Sequence, residues 1–126
     1  MSDQRALRPR VVAKPWGEER VFAEGPRYAG KLIKIRAGES LSYQLHRVKE
    51  ETIHVLSGRL GLEVELDGAR TTLLLSEGES FHVPPGTKHR MFTDTGDCTL
   101  VEVSSPELDD VVRLEDRYGR EGTTAP

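Results

Sequence analysis

One short segment of the chain, Leu41–Gly58, contains several side chains that can ligate a metal ion, and it reads LSYQLHRVKEETIHVLSG. Because strand side chains alternate between two faces, Gln44 and His46 are expected to share one face. Glu51 begins the next extended segment, and a hairpin that returns there brings its carboxylate beside them. Further along, His89 follows a stiff turn of proline and glycine and adds a second imidazole.

These four side chains form a donor set for a divalent transition metal. One amide oxygen, one carboxylate oxygen and two imidazole nitrogens suit Zn, Mn, Fe, Co or Ni, and suit Cu(I) or Ca²⁺ poorly. We expect zinc, with Mn, Fe, Co or Ni as alternatives. The single cysteine, Cys98, excludes a cysteine cluster and an intrachain disulfide. His54 and His82 fit no ligand position and are interpreted as ordinary polar residues.

The elements that must hold these side chains are short strands. Alternating apolar segments are separated by Gly, Asp-Gly or Pro-Gly signals, and Asp67 with Gly68 predicts a hairpin turn between two of them. This pattern predicts an all-β fold. About eight strands in one domain leave a sandwich or a small barrel as ways to bury one face of every strand, and we favour a jelly-roll β-barrel. The segment SPELDDVVRLEDRYGR departs from this pattern and could be a final helical turn or a tail over the surface.

The composition limits the domain organisation and the partners. The chain of 126 residues predicts a single domain at 14–120, after an N-terminal arm at 1–13 and before a flexible tail at 121–126. Its net charge of −3 is spread along the chain, so nucleic acid is not an expected partner. No apolar run approaches the ~20 residues of a membrane helix, and none follows the basic N-terminal residues as in a secretory signal. A cytoplasmic location is therefore expected.

The spacing of the candidate ligands resembles the two motifs of the cupin superfamily. The first motif runs from Gly38 to Gly58, with Gln44, His46 and Glu51 at the matching intervals between them. The second motif is formed by Gly78, Pro84, Gly86 and His89. This resemblance implies a single-domain cupin barrel with a metal held by the four ligands.

Other features are similar to one branch of that superfamily. Gln44 stands where the first cupin motif has its leading His, which resembles the metal site of phosphomannose isomerases. Three segments are similar to the cupin domain that ends type II mannose-6-phosphate isomerases, namely KPWG at 14–17, GPRY at 25–28 and EDRYGR at 115–120. The chain departs from those enzymes after His46, where Arg47 and Val48 stand in place of two further histidines.

This resemblance implies an aldose-ketose isomerase acting on a phosphorylated sugar, with the metal polarising oxygens on two adjacent carbons. Lys49, two residues before Glu51, resembles a Lys-x-Glu arrangement in other phosphomannose isomerases and is the predicted general acid/base. The basic residues predicted to hold the phosphate are Lys31, Arg36, Arg117 and Arg120. The alternative is a non-isomerase cupin, either a small-molecule binding module or an Fe or Mn oxygenase.

Strand parity also predicts a homodimer. Leu41, Tyr43 and Leu45 are expected to point away from Gln44 and His46, which would leave an apolar outer face on one sheet. We expect a second copy of the chain to cover that face.

Overall fold

Two antiparallel sheets share one hydrophobic core in the computed structural model, which describes residues 5–123. The strands of these residues are β1 (Arg10–Lys14), β2 (Gly17–Glu24), β3 (Ala29–Ile35), β4 (Tyr43–Leu45), β5 (Glu51–Ser57), β6 (Leu60–Leu66), β7 (Ala69–Leu75), β8 (Ser80–Val83), β9 (His89–Phe92), β10 (Cys98–Ser104) and β11 (Val112–Glu115). The first sheet has the order β1-β2-β3-β10-β5-β8, and the second has the order β11-β4-β9-β6-β7. The predicted all-β fold is confirmed.

The core is formed by the inward face of each sheet. Ile33 of β3 and Leu100 of β10 are register partners in the first sheet, and Leu62 and Val64 of β6 contribute from the second. All four are at most 1% exposed. Complete burial of such a side chain contributes roughly 1.5–3 kcal/mol, so these alternating positions fix which face of each strand points inward.

The described part of the chain has no helix long and apolar enough to span a bilayer.

The ends of the domain differ from the prediction. Residues 10–13, placed in the N-terminal arm, belong to β1 and pair with β2 in a register that runs from Arg10–Val21 to Lys14–Gly17. The β-branched residues of RVVAK suit this edge strand. At the other end, the backbone oxygen of Thr123 accepts a hydrogen bond from the backbone N–H of Arg113 at 3.3 Å. The predicted arm and tail also include residues 1–4 and 124–126, which lie outside the described residues.

The C-terminal segment that departed from the strand pattern is not helical. It contains β11, which pairs with β4 in the second sheet, and turns follow and precede that strand. β4 is only three residues long, and β11 pairs with it on the side opposite β9. The C-terminal segment therefore helps to hold the strand that precedes His46.

The structure corrects the predicted apolar outer face. Leu41 precedes β4, so the alternation of faces along that strand does not extend to it. Its side chain belongs to the hydrophobic core and is only 6% exposed. Tyr43 does lie on the face opposite Gln44, but the guanidinium carbon of Arg70 is 3.8 Å from its ring centroid. This cover leaves Tyr43 only 5% exposed, and Leu45 is half-buried. These three residues do not form an open apolar surface.

Candidate metal centre

A cavity between the two sheets is bordered by many of the residues that could do chemistry. Trp16 and Met91 form part of its apolar wall, and Gln44, His46 and Glu102 form part of its polar wall. Buried polar groups need hydrogen-bond partners or counter-charges. The arrangement of these groups therefore indicates what the cavity can bind.

Three predicted ligands converge beside this cavity. His46 follows β4, Glu51 begins β5 and His89 begins β9, and their ligand atoms all lie within 4.8 Å of one another. Nε2 of His46 and Nε2 of His89 are each 3.1 Å from Oε1 of Glu51. None of the three residues is more than 3% exposed. The expected hairpin between the segments of Gln44 and Glu51 is wrong, because β4 and β5 belong to different sheets, and the loop between them crosses from one sheet to the other. The three predicted ligands meet nonetheless, because the two sheets face each other across the core.

The hydrogen bonds at Nδ1 of the two imidazole rings turn both Nε2 atoms toward Glu51. Nδ1 of His46 donates to the backbone oxygen of Asp110 at 2.6 Å, and Nδ1 of His89 donates to that of Thr87 at 2.8 Å. Because a carbonyl oxygen only accepts hydrogen bonds, each Nδ1 carries a proton, and Nε2 of the neutral ring presents a lone pair.

A divalent cation fits this arrangement of acceptors. Nε2 of His89 is buried and makes no hydrogen bond to any residue in 5–123. Burial alone would raise the pKa of Glu51, but its polar neighbours Glu102, His46, His89 and the Lys49 cation hold that pKa well below its usual range. An ionised carboxylate and two nitrogen lone pairs therefore face one another, and a cation between them would balance their charge and satisfy them.

Gln44 faces the same interior as the cluster. It pairs with His89 across β4 and β9 and with Arg113 across β4 and β11, so the three residues form one row on the inner face of the second sheet. Its Oε1 accepts a hydrogen bond from Oγ of Ser42 at 2.7 Å. An amide oxygen has a second lone pair, which leaves Gln44 able to bind a metal as well. Its role as the fourth ligand stays a prediction.

A buried lysine that lies between two carboxyl groups adjoins the cluster. Nζ of Lys49 lies 3.1 Å from Oε2 of Glu102 and 3.6 Å from Oε2 of Glu51. Burial and the neighbouring charge of Glu51 raise the pKa of Glu102 to about 8. Burial alone would lower the pKa of Lys49, but the charges of Glu102 and Glu51 raise it above its usual value. Lys49 is therefore placed to act as a cation or a proton donor rather than as a neutral base.

The cavity is also bordered by a group of basic side chains, which are Lys14, Lys31, Arg113 and Arg120. Burial lowers the pKa of Lys14, and the charges of the other three lower it further, although Glu19 opposes them. Nζ of Lys31 lies 3.2 Å from Oε1 of Glu19. Glu19 beside Lys31 and Asp116 beside Arg120 offset two of these four charges, and the remaining net positive charge suits an anionic ligand.

Residues 2–116 match the family model described as the C-terminal domain of mannose-6-phosphate isomerase. The chain belongs to this family. It is 40% identical over 116 residues to mannose-1-phosphate guanylyltransferase ManC of Salmonella typhimurium, a match that covers 88% of this chain and 23% of that protein. It is 36% identical over 116 residues to xanthan biosynthesis protein XanB of Xanthomonas campestris, with 88% and 24% covered. The chain spans less than a quarter of the length of these relatives.

Solved structures share the fold at much lower sequence identity. CapF, a capsular polysaccharide assembling protein from Staphylococcus aureus, has a TM-score of 0.75 at 18% identity over 87% of this chain and 35% of its own. A deletion mutant of oxalate decarboxylase from Bacillus subtilis has a TM-score of 0.73 at 12% identity over 84% and 30%. These likenesses confirm the predicted cupin jelly roll and show the fold alone.

Within this member of the mannose-6-phosphate isomerase C-terminal family, two of the predicted phosphate-binding residues lie outside the cavity. Arg36 is exposed, and its Nη2 donates to the backbone oxygen of Pro15 at 2.5 Å. Arg117 is also exposed, and its Nη1 donates to the backbone oxygen of Gly38 at 2.8 Å. Arg36 follows β3 and Arg117 lies in a turn, so neither is held by strand alternation. Lys31 and Arg120 do border the cavity.

Three charged residues of the cavity wall were not predicted as site residues from the sequence of this family member. Glu102 stands between two valines of β10 and has the same parity as the buried Leu100. Arg113 lies in the short strand β11 and is 5% exposed. A charged residue at an inward strand position was the available signal in both cases. Lys14 gave no such signal, because it stands at the end of an edge strand.

Proposed function

We propose that this chain is a metal-dependent aldose-ketose isomerase that acts on a sugar phosphate. The observation that supports it is the presence, beside one cavity, of a His-Glu-His cluster and a group of basic side chains. A relative named for mannose-1-phosphate points to the same class of phosphorylated hexose. The cytoplasmic location stays a prediction and forms part of the proposal.

His46, Glu51 and His89 would hold the metal, with Gln44 as the fourth ligand, and zinc is the first metal to test. When bound, such a metal would polarise oxygens on two adjacent substrate carbons and stabilise the negative charge that develops on them. Lys49 is the proposed general acid, because its buried Nζ borders the cavity and is held beside Glu102 at 3.1 Å.

The phosphate of the substrate is assigned to the basic wall. Arg113 is 5% exposed, and its Nη1 donates to Oγ1 of Thr123 at 2.9 Å. Arg120 donates from Nε and Nη2 to the two carboxylate oxygens of Asp116 at 2.8 and 3.1 Å. Both guanidinium groups are therefore fixed before a ligand arrives, which lowers the entropy cost of binding an anion.

The alternative is a non-isomerase cupin, either a small-molecule binding module or an Fe or Mn oxygenase. Arg47 and Val48, which replace two histidines of the similar isomerases, are both exposed, and Val48 is 64% exposed. Because they are exposed, their side chains do not take the place of those two imidazoles beside the metal cluster. The same ligand set would serve these alternative functions.

The test is interconversion of mannose 6-phosphate and fructose 6-phosphate by protein reconstituted separately with Zn, Mn, Co, Ni and Fe(II). We expect turnover above the metal-free control with at least one metal. Arg120→Ala should raise KM by about 10-fold or more, because a hydrogen bond to a charged group contributes roughly 1.5–3 kcal/mol. Arg36→Ala, outside the cavity, is the matched control. Absence of turnover with all five metals would favour the alternative.

The homodimer is also retained as a proposal, but on the outer face of the first sheet. Val103 and Phe22 are 52% and 40% exposed there, and the ring of Phe22 lies against Gly30, the register partner of Val103. An isologous contact between two copies would bury this apolar surface. We expect light scattering to report a dimer at micromolar concentration and Val103→Asp to shift it toward monomer. A wild-type monomer under these conditions contradicts the proposal.

A further inference from the structure

We propose that Asp110 is a positioning residue for the metal centre and that it fixes the loop at residues 46–50, here called the ligand loop. This loop joins β4 to β5, begins with His46 and leads directly into Glu51. Asp110 lies far away in the sequence, between β10 and β11. The inference rests on the proposed metal site and assigns a role to a residue that does not itself ligate.

The carboxylate of Asp110 binds three consecutive backbone N–H groups of the ligand loop. Oδ1 accepts from the backbone N–H of Arg47 at 3.0 Å. Oδ2 accepts from the backbone N–H groups of Val48 at 2.7 Å and of Lys49 at 2.9 Å. The loop lies outside the strands, so these donors have no ladder partner, and the carboxylate supplies one. It therefore determines the backbone path between two metal ligands.

The main chain of the same residue orients a ligand directly. The backbone oxygen of Asp110 lies 2.6 Å from Nδ1 of His46, so Nδ1–H donates to it and Nε2 faces Glu51 at 3.1 Å. Hydrogen bonds of this kind fix the tautomer and the ring orientation of a metal-binding histidine. Asp110 thus holds the imidazole with its backbone and holds the loop behind the imidazole with its side chain.

The ligand loop has a second attachment that does not depend on Asp110. Oγ of Ser105 accepts from the backbone N–H of Glu50 at 2.9 Å, and the backbone N–H of Ser105 donates to the backbone oxygen of Glu50 at 3.0 Å. Loss of the Asp110 carboxylate would leave this end of the loop attached. A change in metal binding would then reflect the position of the loop rather than its complete detachment.

The experiment compares Asp110→Ala with Asp109→Ala, which removes an equal charge from an exposed neighbouring side chain. Asp110→Ala deletes the carboxylate but keeps the backbone oxygen that binds His46. We expect its affinity for Co(II), measured by competition with a chelator, to fall about 10- to 100-fold, as for other groups that orient metal ligands. The visible absorption bands of the Co(II) protein should also change. Asp109→Ala should match the wild type in both measurements.

Two further measurements distinguish a loss of loop positioning from a folding defect. Asp110→Asn keeps one oxygen acceptor but turns an amide NH₂ group toward backbone donors, so it should show the same effects in a milder form. In the metal-free wild type, the amide hydrogens of residues 47–49 should exchange slowly, because Asp110 holds them before metal arrives. Exchange as fast as in an unstructured peptide would overturn the inference.

The outcomes separate this inference from the metal site on which it rests. A folded Asp110→Ala protein with wild-type Co(II) affinity and spectrum overturns the role of Asp110 and leaves the metal site in place. A wild-type protein that binds no Co(II) overturns both. Weaker binding and an altered spectrum in Asp110→Ala, with neither change in Asp109→Ala, support the inference.

Discussion

Replacement of His89 by Ala is expected to weaken the binding of a divalent transition metal by more than about 100-fold, because loss of a ligand should exceed the effect of losing a group that only orients one. His46→Ala should act similarly, since each ring presents Nε2 toward Oε1 of Glu51 at 3.1 Å. The measurement is metal content per chain after dialysis, together with chelator competition for zinc and for Co(II). The double variant should retain no metal.

The chain provides matched controls for this experiment. Nδ1 of His54 lies 2.7 Å from Oγ of Ser80, and Nε2 of His82 lies 2.6 Å from Oε2 of Glu50. Neither histidine belongs to the buried cluster found among residues 5–123. His54→Ala and His82→Ala should therefore keep the wild-type metal content. Full occupancy in the His46→Ala, His89→Ala double variant would contradict the proposed centre.

Part of the metal cluster could be predicted from local rules. Alternation along a strand fixes the inward face of Gln44, and short turns fix where Glu51 and His89 begin the next strands. The same rules predicted the all-β architecture, since Gly, Asp-Gly and Pro-Gly signals mark the ends of the strands. The convergence of the ligands also requires that β4 lie beside β9 and that β5 face them from the other sheet, which only the resemblance to the cupin motifs implied.

The rest of the cavity depends on long-range pairing, which local spacing does not encode. Glu102 reaches Lys49 because β10 lies between β3 and β5, and Arg113 reaches Gln44 because β11 closes the edge of the second sheet. Arg36 lies outside the cavity because it stands just beyond β3, where its side chain donates to the backbone oxygen of Pro15. Alternation predicts a face only within a strand, and the error at Leu41 has the same cause.

Replacement of Lys49 by Met is expected to destabilise the metal-free protein by about 3 kcal/mol or more, because removal of one partner leaves a buried charge without compensation. Lys49 and Glu102 are 4% and 3% exposed, and Nζ of Lys49 lies 3.1 Å from Oε2 of Glu102. Loss of Lys49 removes the cation beside the ionised carboxylate of Glu51, which lies 3.6 Å from the same Nζ. Urea unfolding of the metal-free protein provides the measurement.

Glu102→Gln should destabilise the protein less than Lys49→Met does, because Lys49 still has Glu51 as a counter-ion at 3.6 Å. The Lys49→Met, Glu102→Gln double variant should lose less free energy of unfolding than the sum of the two single losses. The difference, which is the coupling energy, should be about 1 kcal/mol or more, as expected for residues in direct contact. Lys34→Met, at an exposed position of β3, is the control and should change the stability by no more than about 0.5 kcal/mol. Strictly additive effects would show that Lys49 and Glu102 do not stabilise one another, and the position of the proposed general acid would then lack its main support.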